Sequence, residues 1–106
     1  MEIDEIEWHD GVYSGHTFNP NYGGISEIIL YCELYPEPIN TSHRSAFEIK
    51  CFGVKRFVCS CGLPELVTNK NAGNINYGYQ TNDVLYVFLF GGFIEIQAEH
   101  FEAKLR

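Results

Sequence analysis

Ile25-Ser26-Glu27-Ile28-Ile29-Leu30-Tyr31-Cys32-Glu33-Leu34-Tyr35 is the stretch on which the fold turns. Ile28, Leu30, Cys32 and Leu34 share one parity, and Ile29, Tyr31, Glu33 and Tyr35 the other. A period of two carried by β-branched and aromatic side chains predicts a strand whose first set faces a core. The second set is amphipathic and aromatic. It suits either a surface that meets a partner or a face covered by the protein's own loops. Pro36 and Pro38 end the strand, and residues 36–43 read as a loop.

The same alternation spreads in both directions. Toward the N-terminus, Ile6 and Trp8 alternate with Glu5 and Glu7. Asp10-Gly11 then predicts a hairpin turn, since a type I′ turn needs positive φ at both central residues, and Val12 to Phe18 reads as the returning strand. Asn19-Pro20-Asn21-Tyr22-Gly23-Gly24 collects turn residues. Toward the C-terminus, Phe47, Ile49 and Cys51 read as inward, Glu48 and Lys50 as outward, and Gly53 as a bulge or bend. Residues 62–70 form the one helical pattern, with Pro64 in its first turn and Leu63, Leu66 and Val67 on one face. Residues 71–79, rich in Asn and Gly yet holding Tyr77 and Tyr79, read as an ordered loop or irregular strand.

Asn82-Asp83 turns the chain into Val84-Leu85-Tyr86-Val87-Phe88-Leu89-Phe90, a strand apolar on both faces that needs cover on both. Gly91-Gly92 reads as the tight turn into Phe93–Glu99. The inward set then changes parity, from Ile94, Ile96 and Ala98 to Phe101, Ala103 and Leu105, which predicts a bulge near Glu99-His100 in preference to a transition to helix. The fold expected is one domain over residues 1–106, mainly β (α+β). It would be a single antiparallel, strongly curved sheet, or a half-barrel or sandwich, with one short helix.

Composition narrows the function. The chain has 106 residues, 45% hydrophobic and 20% charged, as a globular domain does. No apolar run approaches the ~18 residues of a membrane helix, so no membrane partner is expected. The opening Met1-Glu2-Ile3-Asp4-Glu5 lacks the basic and apolar regions of a secretion signal, so a cytoplasmic location is expected. The net charge of −7 disfavours direct nucleic-acid binding, which needs clustered Lys and Arg. That charge is lopsided. Glu2, Asp4, Glu5, Glu7, Asp10, Glu27, Glu33 and Glu37 give residues 1–43 a charge of −8 with no Lys or Arg, and the remainder carries +1. The acids either form a solvated face or steer a basic partner.

Four cysteines, Cys32, Cys51, Cys59 and Cys61, read as reduced thiols, with Cys32 and Cys51 as small core residues. Cys59-Ser60-Cys61 lacks the second ligand pair of a tetrahedral zinc site, and no metal or cofactor is expected. None of the serines sits in Gly-x-Ser-x-Gly. His9-Asp10 looks like a base with its carboxylate, but neighbours on a strand point to opposite faces, so His9 reads as a packed or capping imidazole. No catalytic residue is assigned, and the chain is not expected to be an enzyme.

Glu7-Trp8-His9-Asp10-Gly11, Asn71-Ala72-Gly73-Asn74-Ile75-Asn76-Tyr77-Gly78-Tyr79 and Gly91-Gly92-Phe93-Ile94-Glu95-Ile96, in that order, resemble small bacterial proteins. In size, acidity and β content the chain is similar to immunity proteins of contact-dependent growth inhibition systems. The resemblance implies a cytosolic protein that binds a cognate toxin domain, often a basic nuclease, and blocks its active site. The docking residues expected from the charge pattern are Glu5, Glu7, Asp10, Glu33 and Glu37, with Tyr31 and Tyr35 as aromatic anchors. The alternative is a small-molecule or metal-binding β domain, with Cys59, Cys61 and a histidine as soft ligands. Either would be a monomer or a small homo-oligomer, the latter pairing subunits over Val84–Phe90.

Overall fold

Alternating side chains have only one way to bury their apolar set, which is to lay strands side by side and cover the resulting face. The computed structural model, which describes residues 2–20, 26–35, 43–61 (of Cys61 the backbone only) and 74–106, does this twice. A 3-10 turn at Ile3–Glu5 leads into β1 (Glu7–Asn19), followed by β2 (Glu27–Tyr35), β3 (Ser45–Phe52), β4 (Arg56–Cys61), β5 (Ile75–Thr81), β6 (Val84–Leu89), β7 (Gly92–Gln97) and β8 (His100–Leu105). They form two four-stranded sheets, β1-β2-β3-β8 and β4-β7-β6-β5, with every neighbouring pair antiparallel. The expectation of a single curved sheet is therefore corrected to two sheets. The helix expected over residues 62–70 lies outside the described residues, as do the loop over 36–42 and the turn over 21–24.

One buried cluster draws on both sheets: Ile28, Leu30, Cys32 and Leu34 of β2 and Phe47, Ile49 and Cys51 of β3, against Leu85 and Val87 of β6 and Ile94 and Ile96 of β7. The parity read for β2 and β3 is the parity observed. No buried polar or charged residue occurs among the described residues.

Two turn readings and one bulge reading change. Asp10-Gly11 is not a hairpin, because β1 runs through it and pairs with β2 on both sides, Glu7 opposite Tyr35 and Val12 opposite Glu33. The extra residues form a bulge in which Asp10 takes the left-handed conformation, φ 64°. Gly11 serves close approach instead: a Cβ there would lie 2.5 Å from Leu34 Cδ2. The β6–β7 loop is Phe90-Gly91, since Leu89 pairs with Gly92.

The third correction concerns the parity switch near residue 99, where there is a change of sheet and no bulge. β7 lies in one sheet and β8 in the other. At the crossing the Ala98 amide donates to the Asp83 carbonyl (2.9 Å) and the Glu99 amide to the Phe52 carbonyl (2.9 Å). The partner chain bends at the same level. Gly53, at φ 67°, turns β3 toward β4, its amide donating to the Ser26 carbonyl (2.9 Å), and the Lys55 amide reaches the Gln97 carbonyl (2.8 Å). The two strand pairs β3·β8 and β4·β7 are thus one ribbon folded across both sheets. On the opposite side an isolated bridge, Val12 to Asn74, joins β1 to the start of β5. No helix among the described residues is long and apolar enough to cross a membrane.

Candidate functional site

The sequence splits its charges by position in the chain, but the first sheet mixes them. Its outer face sets Glu48 between Tyr31 and Lys104, and Lys50 between Ile29 and Glu102. Arg106 reaches Glu48 (3.9 Å) and lies 5.2 Å from the centre of the Tyr31 ring. Arg44 stands 6.0 Å from that of Tyr35. Both tyrosines are half-buried, and Tyr31 also shares a hydrogen bond with Thr17 (3.1 Å). The two expected anchors are thus held by the protein's own side chains, and the acids around them are interleaved with cations.

Four of the remaining expected residues lie near the start of β1 or opposite it on β2. Glu5 is exposed on the 3-10 turn, Glu7 is half-buried opposite Tyr35, and Asp10 is exposed on the bulge. Glu33 is exposed opposite Val12. Glu37 lies outside the described residues.

His9 and Asp10 do not point to opposite faces as an unbroken strand requires. The left-handed Asp10 brings its Oδ2 to 3.6 Å from His9 Nε2. His9 is exposed and not packed, and its Nδ1–H donates to the Asn76 carbonyl of β5 (2.9 Å). That carbonyl belongs to a second bulge, because Ile75 pairs with Leu89 while Tyr77 pairs with Phe88. The carbonyl of Asn76, then the nearby carboxylates of Asp10 and Glu7, raise the His9 pKa above its usual 6.5. A raised folded-state pKa means that protonated His9 adds stability. This contribution is complete below the unfolded value near 6.5 and disappears as pH rises through the folded value. NMR titration should place the His9 midpoint above that of an unstructured imidazole. In His9→Gln, the fall in stability across that interval should flatten.

The Asn76 bulge also turns Ile75 inward and Tyr77 outward, and so begins the most distinctive surface of the molecule. Tyr77 pairs with Phe88 and Tyr79 with Tyr86, their ring centres 4.6 and 5.1 Å apart. Tyr77 and Tyr79 stack along β5 at 6.1 Å. Phe88 is opposite Phe93 on β7, which extends the row to a third strand. Tyr77 is 48% exposed, Tyr79 43% and Phe93 37%. Beside Phe93 on β7 the face holds Glu95, opposite Tyr86, which Arg56 of β4 reaches at 3.6 Å. Large exposed apolar patches rimmed by polar groups mark binding surfaces. The residue readings missed this one by giving Tyr77 and Tyr79 to an ordered loop or irregular strand and leaving Val84–Phe90 to be covered on both faces. Its signal was nonetheless present: a two-residue turn at Asn82-Asp83 forces Tyr79 opposite Tyr86 and Tyr77 opposite Phe88.

Among the described residues the thiols form no ligand set. Cys32 and Cys51 are buried, and desolvation pushes each thiol up to about 12. Cys59 is exposed, and the Cys61 side chain lies outside the described residues. Among the described residues no three His, Cys, Asp or Glu side chains stand close enough together to hold a metal ion. Compared with known protein families, with curated proteins and with solved structures, the chain matches none.

Proposed function

We propose that the chain is a non-catalytic, cytosolic inhibitor of immunity type, which binds a basic toxin domain, such as a nuclease, and covers its active site. The observation that carries this reading is the exposed aromatic face of β5, β6 and β7, linked through the His9–Asn76 contact to the carboxylates of the β1 bulge. Aromatic residues dominate the energy of protein interfaces, while peripheral acids speed the encounter with a basic partner. The net charge of −7 supports the same choice of partner.

The test is a tagged capture from the native host at low salt, eluted by a salt gradient and identified by mass spectrometry. The expected result is a stoichiometric basic protein with a toxin domain whose activity the purified chain abolishes. Glu5→Lys with Glu33→Lys should slow association by about tenfold at 50 mM salt, where the Debye length is about 14 Å, and by much less at 300 mM. Association unchanged by charge reversal and by salt would remove the electrostatic part of the reading. A second reading, a small-molecule-binding β domain, is favoured by one observation. A cleft of about 270 Å³ is lined by Phe18, Ile28, Val54 and Phe57 together with Lys55 and Arg56. Octanoate bound there, with no toxin captured, would favour that reading.

A further inference from the structure

The two sheets treat their outward tyrosines differently. On the first sheet, Tyr31 and Tyr35 each have an arginine over the ring, Arg106 at 5.2 Å and Arg44 at 6.0 Å. On the second sheet the rings of Tyr77, Tyr79, Tyr86 and Phe88 stack on one another, and among the described residues no Lys or Arg lies over them. The remaining arginine of the chain, Arg56, stops at Glu95, opposite Tyr86 at the border of this face. A guanidinium is planar and weakly hydrated. It stacks on tyrosine and pairs with carboxylates, as Arg106 does with Tyr31 and Glu48 on the first sheet.

From this we infer that the face formed by Tyr77, Tyr79, Tyr86, Phe88 and Glu95 is an arginine-binding platform, which receives guanidinium groups from a protein partner. The inference rests on the proposed binding of a basic protein and specifies the chemistry of contact. Arginine is favoured over lysine here because the platform offers ring faces in place of a cluster of acids, and its one carboxylate, Glu95, is already shared with a guanidinium. Charge complementarity selects the partner: the chain has a net charge of −7, so a second copy of it is repelled and a basic segment is attracted, while Glu95 itself is already met by Arg56.

The test uses the full chain with two synthetic probes, acetylated nona-arginine amide and acetylated nona-lysine amide, of equal charge. The readout is the NMR signals of the aromatic rings. Nona-arginine is expected to bind more tightly, and to shift Tyr77, Tyr79 and Phe88 more than Tyr31 and Tyr35. Tyr77→Leu with Tyr79→Leu, which keeps strand-forming apolar residues, should weaken nona-arginine by about tenfold and abolish its advantage over nona-lysine. Glu95→Gln should weaken both probes, since it leaves the Arg56 charge uncompensated beside the face, and leave the ring shifts in place. Equal affinity for the two probes, or full affinity retained in the leucine pair, would overturn the platform. Because the toxin capture does not depend on these probes, it would still stand or fall by itself. Sedimentation showing a dimer that the leucine pair dissolves would likewise overturn the inference, because a second copy would then be the occupant.

Discussion

Truncation of Phe47 to alanine should remove a large part of the domain's stability. Phe47 is fully buried on β3, opposite Cys32 of β2 on one side and Leu105 of β8 on the other. Loss of a packed phenyl ring costs about 3–5 kcal/mol, through lost transfer energy and the cavity left behind. A domain of this size has only about 5–15 kcal/mol in total. The melting midpoint should fall on the order of 15 °C. Phe18→Ala is the matched control, since Phe18 is 55% exposed at the end of β1, and its cost should stay under about 1 kcal/mol. Denaturant unfolding of the two variants gives the comparison. Similar losses would mean that the two rings are not buried as differently as described.

The second large effect is expected at Gly78, where the cost is purely steric. A Cβ there would lie 2.7 Å from Trp8 Cδ2 and 3.0 Å from its Cγ, atoms at the root of the indole that no rotation of a flexible tip can move away. Trp8 is itself buried, so the ring has little space to yield. Gly78→Ala should therefore cost about 1–3 kcal/mol by overpacking. Trp8→Phe would make a cavity in the wild type, yet it frees space in the alanine variant. The double variant should lose measurably less than the single losses combined. Strict additivity in denaturant unfolding would show that the two residues do not meet.

Strand identity was legible because side-chain parity is a local property. The inward set Ile28, Leu30, Cys32 and Leu34 needs no tertiary information to be recognised. Three local signals, however, have two structural meanings each. Asp10-Gly11 announces positive φ, which a bulge within β1 uses as readily as a hairpin does. The parity change before Phe101 announces a break in alternation, and passage from one sheet to the other leaves the same mark as an inserted residue. The dipeptide Gly91-Gly92 announces a turn, but pairing of Leu89 with Gly92 moves it back by one.

Charge was less legible still, because the sequence separates what the sheet brings together. Arg106 lies far along the chain from Tyr31 and Glu48, yet β8 carries it to both. The candidate docking residues Tyr31 and Tyr35 were correctly read as outward, but their arginine neighbours follow from strand order, which parity does not encode. The aromatic face of β5 and β6 is the opposite case. It followed from a two-residue turn and simple register, and was obscured only by the Asn76 bulge, which reverses parity between Ile75 and Tyr77.

The ribbon that folds across the two sheets has a kinetic consequence. Neither sheet has its full set of strand partners until β3 has met β8 and β4 has met β7, and these pairings close long loops of chain. Domains built on such non-local pairings fold in milliseconds to seconds. Once formed, the ribbon denies either sheet a private route of opening. The amide protons of Ile49 in the first sheet and Ile94 in the second should then exchange with solvent only when the whole domain unfolds, and at the same free energy.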